Sequence, residues 1–317
     1  MVATSMIGNL SIQQLWDLDV IGIQDPIITK SKKEIDEDIK SHFIQSVKIN
    51  EEGRYEVELP WVMPRSSIAN NWGQAVKRLV STTKRLKESG HYEIYEEVFK
   101  DWLKEGVIEQ VPDEDLNKSE AHYLPHRAVI RDDSSTTKVR PVFDASCKLA
   151  KSLSLNDCLA KGPNQLELIP DILLRFRWKQ IGAIADIRKA FLMISVSQLD
   201  RDYLRFLWWE NDKETVKVMR HRRVVFGVNS SPFQLAAIIE HHLLNKGTDT
   251  ANLLLKSFYV DNCVISLETA EIYESFKSKA IELMAEAKMD LRLWESNLEF
   301  HESGSKTSKV LGLNWDR

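Results

Sequence analysis

The sequence predicts an α+β fold in which helices cross a mainly antiparallel sheet. Three observations carry that prediction. Apolar residues recur at helical spacing from Trp72 to about Ser89 and again around Tyr95–Trp102. Two runs, IGAIADI (181–187) and SFYVDNCVIS (257–266), are apolar enough to be buried strands. Two further β-like runs, HYLPHRAVIR (122–131) and TKVRPVFDA (137–145), flank the polar DDSSTT, the pattern of an exposed hairpin loop.

The elements follow in order. Residues 1–70 are mixed in character and punctuated by Pro26, Pro60 and Pro64, which reads as a leader or linker with little core of its own. Asn70 or Asn71 caps the first helix, with Trp72, Ala75, Val76 and Leu79 on one face and Gly90 as its stop. Tyr95, Val98, Phe99 and Trp102 mark the stripe of the second, which ends at Gly106. Residues 166–178 form a helix before the strand 181–187. Pro232 occupies the first turn of another, capped by Ser230 or Ser231, with Leu235, Ile238 and Ile239 inward. The stretch from Glu268 to about Lys288 is amphipathic, with Ile272, Phe276 and Leu283 inward. Short strands around Leu291–Trp294 and Val310–Trp315 complete the set.

Length and composition exclude several classes. At 317 residues, 43% apolar and 28% charged, the chain suits one large or two smaller packed domains. No stretch approaches the roughly 18 apolar residues of a membrane helix, and the start, MVATSMIGNLSIQQ, is no signal peptide. The scattered Cys147, Cys158 and Cys263 suit neither a disulfide framework nor a zinc site and favour a reducing compartment, hence a cytoplasmic location. A net charge of −4 speaks weakly against nucleic acid. Distribution matters more than the sum. Basic clusters lie at Lys77, Arg78, Lys84, Arg85 and Lys87, at Arg175, Arg177 and Lys179, and at Lys217, Arg220, Arg222 and Arg223. Each is either a solvated face or a phosphate-binding patch. There is no Gly-rich phosphate loop, no HExxH and no GxSxG. His241 and His242 are adjacent on a helix, so they point about 100° apart and cannot chelate one metal together.

The chemically informative feature is a pair of apolar strands, each carrying one carboxylate. Asp186 interrupts IGAIADI, where a lone charge is costly unless paired or bound to metal. Asp261 stands at the tip of a tight hairpin in SFYVDNCVIS. Side by side, the two could hold Mg²⁺, with substrate phosphates completing the shell. Plainer readings stand beside this one. Asp186 could end its strand at a sheet edge, and Asp261-Asn262 could be an ordinary two-residue turn.

The order of segments resembles the reverse transcriptases of long-terminal-repeat retroelements, most closely the BEL/Pao group. YLPHRAVIRDDSSTTKVRPVFDAS resembles their fingers hairpin, and the segment from SLSLNDCLAKGPNQ to DYLRFLWW resembles the one holding the first catalytic aspartate. VVFGVNSSPFQLAA resembles their nucleotide- and template-contacting loop and helix, YVDN stands where the family has tyrosine, any residue and two aspartates, and KVLGLNW resembles the primer-grip strand. The match runs from about residue 10 to the C-terminus, and five motifs in the correct order are a specific signal.

The resemblance implies a right-hand polymerase fold: fingers at about 71–150 and 197–225, palm at about 151–196 and 226–317, and an antiparallel palm sheet with helices on one face. It implies an RNA-directed DNA polymerase of a retrotransposon polyprotein, acting by two-metal nucleotidyl transfer with two Mg²⁺ ions, or Mn²⁺, on an RNA or DNA template-primer and a dNTP. Asp186 and Asp261 would be metal ligands, with the Ile187 carbonyl beside them. Arg140 would reach the triphosphate, helped by Arg131 and Lys138. Phe191 would lie under the sugar and exclude a 2′-hydroxyl, while its plain reading is core packing. Gly227, Ser231 and Pro232 match the turn before the long palm helix, and Leu311 and Gly312 match the primer grip. Phe226 replaces the glutamine usual in retroviral enzymes, as in the BEL/Pao group. Two departures bear on activity. Asn262 stands where the family has its second consecutive Asp, and the chain stops after the primer-grip strand, so thumb, ribonuclease H, integrase and the preceding protease are missing from it. The alternative function is a catalytically inactive, nucleic-acid-binding remnant.

Overall fold

A computed structural model describes residues 31–130, 139–164, 167–210, 214–298 and 307–317. In chain order the described elements are α1 (Lys32–Ser46), β1 (Lys48–Ile49), β2 (Tyr55–Val57), α2 (Trp72–Glu88), α3 (Tyr92–Lys104), β3 (Ile108–Gln110) and α4 (Asp113–Leu116). There follow β4 (His126–Ile130), β5 (Val139–Phe143), α5 (Leu155–Cys158), α6 (Ile169–Phe176), β6 (Ile181–Ile187), β7 (Ser195–Val196), β8 (Arg205–Trp209) and β9 (Val216–His221). Last come α7 (Ser231–Lys246), α8 (Asp249–Leu255), β10 (Phe258–Tyr259), β11 (Asn262–Leu267), α9 (Ala270–Glu286), β12 (Leu291–Ser296), β13 (Thr307–Val310) and β14 (Leu313–Asp316). The fold is α+β, as expected, although β2 and β7 pair in parallel.

The sheet that matters for function has the order β10-β11-β6-β12, antiparallel throughout. Its strands alternate between two buried faces. Ala183, Ala185, Cys263, Ile265 and Leu267 join the main core together with Phe276 and Leu283 of α9. Ile184 and Val264 point the other way, into a second cluster with Ile172 and Phe176 of α6 and with Val310. The expectation of helices on one face is therefore corrected: both faces are apolar, so both need cover. Gly182 makes room on the second face, since a Cβ there would lie 3.1 Å from the Phe176 and Trp315 rings.

The main core continues around β3-β9-β8 and the β4-β5 hairpin. Tyr95, Phe99, Trp102, Phe143, Phe206 and Trp208 enclose His126 and His221. His126 bonds to the Tyr95 hydroxyl at 2.7 Å and to the Leu207 carbonyl at 2.9 Å. Burial depresses both imidazoles, His126 to about 4 and His221 to about 3, so both are neutral at physiological pH.

Three local expectations are revised. Residues 31–70 supply Ile39, Phe43, Tyr55, Val57 and Leu59 to the main core, so this part of the segment read as a linker is packed. It is also tied down at Asp200, wholly buried, which accepts from Leu59 N (2.8 Å), Trp61 Nε1 (2.8 Å) and Arg65 Nη2 (2.8 Å). Arg220 and Arg223 form no solvated face. Arg220 pairs with Glu109, Asp115 and Asp202 at 2.7–2.8 Å, and Arg223 with Glu52. Ile272, expected inward, is exposed, because Tyr273 and Phe276 turn the buried face of α9 by one residue. At α2 the capping bond is donated by Trp72 N to Asn70 Oδ1 (3.1 Å), while Asn71 occupies the cap position in left-handed backbone (φ 65°). The three cysteines are free, and among the described residues no helix is long and apolar enough to cross a membrane.

Candidate active site

Asp186 is the penultimate residue of β6, and β11 lies beside it in a register that puts Asn262 directly opposite Asp186. β10 and β11 are joined by the two residues Val260 and Asp261. The turn is thus one residue earlier than an Asp261-Asn262 turn, and Asn262 opens the strand. Val260 carries φ +58°. Positive φ at the first turn position alone is what a type II′ hairpin demands, and glycine ordinarily supplies it. A β-branched residue there costs roughly 1–3 kcal/mol, sustained only by its surroundings. The Asp261 carbonyl accepts from Ile187 N at 2.9 Å, locking the turn to the end of β6.

This arrangement brings the Asp186 and Asp261 carboxyl groups within electrostatic reach of each other. Burial first, and then the Asp261 charge, push Asp186 up to about 6, while Arg292 and Arg140 pull it down. Burial also raises Asp261, opposed by its own backbone N–H and by Arg140. Arg140 projects from the exposed side of β5, and its charge acts on both carboxylates. Asn262 Nδ2 donates to Asp261 Oδ1 at 2.8 Å.

The remaining expected residues fall into four groups. Phe191, in the 3-10 turn Ala190–Met193, is half-buried, and its ring meets that of exposed Phe226 edge-on at 5.9 Å. Gly227 (φ +114°) passes so close to β5 that a Cβ would lie 2.1 Å from the Phe143 carbonyl oxygen. Ser231 Oγ donates to the Val225 carbonyl at 2.8 Å, and Pro232 sits exposed in the first turn of α7. Leu311 and Gly312, expected in a strand, form the turn between β13 and β14 with φ +48° and +87°. That hairpin packs beside Tyr259 on the second face of the sheet. Arg131, Lys138 and the DDSSTT loop lie outside the described residues.

Two features escaped sequence reasoning. Arg292 stands opposite Asp186 on β12, flanking it on the side away from Asn262. Its signal was a cation inside the apolar LRLW. Asn156 and Asn229 clamp the Gly227 turn: Asn156 Nδ2 donates to Gly227 O at 3.2 Å, and Asn229 N to Asn156 Oδ1 at 2.8 Å. Nothing in the spacing of these amides announces that contact.

The donor set fits a divalent cation: two crowded carboxylates, both raised by burial, whose charged forms a cation would favour. Among the described residues no group of three or more His, Cys, Asp or Glu side chains could hold a metal, and at this site the position opposite Asp186 is the Asn262 amide.

No protein-family model and no curated protein matches the chain. Its structural neighbours include foamy virus protease-reverse transcriptases. The selenomethionine-labelled CSH mutant of the prototype foamy virus protein aligns at TM-score 0.49 and 19% identity, over 69% of this chain and 25% of that one. The native form aligns at 0.49 and 18%, over 68% and 24%. The foamy viral protease-reverse transcriptase dRH in complex with double-stranded DNA aligns at 0.48 and 17%, over 87% and 46%. The chain spans a quarter or less of the length of the first two.

Proposed function

We propose that this chain is the fingers and palm of an RNA-directed DNA polymerase of BEL/Pao retrotransposon type, built for template-directed nucleotidyl transfer. The observation that carries the reading is the convergence of Asp186, Asp261 and Arg140: one carboxylate at the end of β6 and one in the adjoining β10–β11 turn, each under the influence of one exposed guanidinium. In the ancestral reaction a primer 3′-hydroxyl attacks the α-phosphate of a dNTP and pyrophosphate leaves.

The chain's own residues would position that reaction. Arg140 binds the triphosphate through a planar fork suited to phosphate oxygens. Phe191, backed by Phe226, lies under the sugar and rejects a 2′-hydroxyl by bulk. The Gly227 turn, clamped by Asn156 and Asn229, sets the start of α7 against the fingers strand β5. Leu311 and Gly312 present the primer end. Asp186, Asp261 and the Ile187 carbonyl would hold Mg²⁺ or Mn²⁺, one ion on the protein and a second brought by the nucleotide, supplying positive charge for the phosphates. The partners are a template-primer duplex and the remaining domains of a parent polyprotein, in the cytoplasm or in virus-like particles.

One observation favours a second reading, an inactive remnant that binds nucleic acid: the Asn262 amide brings no charge to offset the cation and occupies Asp261. Primer extension on an RNA template with Mg²⁺ and with Mn²⁺, beside template-primer binding by fluorescence anisotropy, separates the two. Extension supports the polymerase. Binding without extension, in the natural chain and in Asn262→Asp alike, supports the remnant. Neither binding nor extension rejects both.

A further inference from the structure

A cavity of about 390 Å³ opens where the ends of β6 and α9 meet the approach to β2 and the end of α3, and the proposed reaction does not use it. Five cations line it, Arg54, Arg188, Lys189, Arg223 and Lys288, against the carboxylates of Glu105 and Asp290.

The five are not equivalent. Lys189 Nζ is committed to Glu105 at 2.7 and 2.9 Å. Arg223 is buried against Glu52 and Ser195 Oγ. Arg54 spends Nη1 on neutral acceptors, the carbonyls of Met193 (3.3 Å) and Lys288 (3.5 Å), with Glu52 no nearer than 3.9 Å. Arg188 and Lys288 are exposed and make no ion pair among the described residues. Arg188 and Lys288, joined by Arg54 whose only ion pair among the described residues is the long one to Glu52, therefore outnumber Asp290, the lining carboxylate left without an ion pair.

The backbone around the cavity is unusual as well. Lys189 and Lys288 have φ +48° and +57°. Such conformations cost roughly 1–3 kcal/mol each and gather at ligand clamps and active sites. Gly53 (φ +72°) lets Lys288 lie over its turn, since a Cβ at Gly53 would stand 3.2 Å from Lys288 Cε. Val107, Leu192 and Met193 add an apolar lining.

The geometry points to a second anion site, a pocket in which Arg54, Arg188 and Lys288 hold a compact polyphosphate. Several cations around one concavity suit a multiply charged anion, and guanidinium forks match phosphate oxygens. Glu105 and Asp290 interrupt the positive surface. An extended nucleic-acid backbone would meet repulsion there, whereas a compact anion fits between them. An inorganic phosphate chain and the tail of a nucleotide share this chemistry. The site is independent of the nucleotidyl-transfer reading.

Calorimetric titration of the full chain with tripolyphosphate, and separately with ATP, tests it. EDTA in the buffer keeps metal-dependent binding at Asp186 and Asp261 out of the signal. One equivalent of tripolyphosphate is expected to bind. Affinity should fall about tenfold, or about 1.4 kcal/mol, in Arg188→Glu and in Lys288→Asn, a residue that tolerates left-handed backbone. Lys279→Ala, an exposed cation of α9 that does not line the cavity, should leave binding unchanged, and thermal melts without ligand verify that each variant is folded. Tighter binding of ATP than of tripolyphosphate assigns a nucleotide; equal or weaker binding assigns a free phosphate chain. No binding to the natural chain overturns the site. So does binding that survives both Arg188→Glu and Lys288→Asn.

Discussion

The side-chain amide of Asn262 donates a hydrogen bond to Asp261 Oδ1 at 2.8 Å, across from Asp186 on the neighbouring strand. The bond satisfies one carboxylate oxygen with a neutral partner. A carboxylate at 262 would instead repel both neighbours and make a cation the natural partner of all three. Asn262→Asp is therefore expected to tighten Mn²⁺ binding, measured by the loss of free Mn²⁺ signal in electron paramagnetic resonance. Primer extension should rise roughly 30- to 1,000-fold, the rate equivalent of about 2–4 kcal/mol for a preorganised charge. Equal Mn²⁺ affinity in the two proteins would show that the amide does not limit the site.

Asp186 gives the fold a pH dependence of defined sign. Its folded value of about 6 lies above the ordinary 3.8, so the folded state holds this proton more tightly than the unfolded chain does. The resulting stabilisation is complete below about pH 4 and is lost as pH rises through 6. At about 1.4 kcal/mol per unit the penalty at neutral pH would approach 3 kcal/mol, and solvent at this half-exposed group reduces it to about 1–2. Asp186→Asn should raise the unfolding free energy from urea titration by that margin at pH 7.5, with a higher midpoint, and barely change it at pH 4. Unchanged midpoints at pH 7.5 would mean that Arg140 and Arg292 already compensate the charge in full.

The Val260 turn predicts an unusual tolerance for glycine. Val260→Gly releases left-handed strain of roughly 1–3 kcal/mol while giving up partial burial and some backbone entropy, so the net cost should stay below about 1 kcal/mol. Val264→Gly, in regular strand on the same sheet, should cost about 3 kcal/mol or more. Chemical denaturation of the two variants side by side decides; similar losses would refute the strain.

Gly227 predicts the opposite. Alanine there combines left-handed backbone with a Cβ 2.1 Å from the Phe143 carbonyl oxygen. Gly227→Ala is expected to cost about 3 kcal/mol or more, adding strain to overpacking. Gly247 (φ +60°) has nothing within 4 Å of a Cβ, so Gly247→Ala should cost only about 1–2 kcal/mol. Near-equal losses would mean that the 227 turn yields freely.

Much of the sheet was legible because its strands are short and apolar: IGAIADI became β6 without adjustment, and the two residues breaking the apolar pattern, Asp186 and Asp261, are the ones drawn together. What stayed hidden depends on partners distant in sequence. Register is one case, since nothing local says that Asn262 faces Asp186 or that Arg292 flanks it. The Arg220 cluster is another: a run of cations reads as solvated until Glu109, Asp115 and Asp202 arrive from other segments. Ile272 was misplaced because an apolar stripe fixes helix rotation only to within a residue. The left-handed Val260 and Leu311 break local preference, and such departures concentrate where surroundings dictate conformation.

The anchorage of residues 59–65 on Asp200 also sets a schedule for synthesis. Leu59 must wait for a partner 141 positions further along the chain. At about 5–20 residues per second, roughly 7–30 s pass between the two leaving the ribosome. Through that interval Tyr55, Val57 and Leu59 have no β7 to lie against, and their apolar surface is exposed to other nascent chains. A protein wired in this way collapses late, and the segment from Tyr55 to Leu59 is in need of a chaperone until β7 has been made.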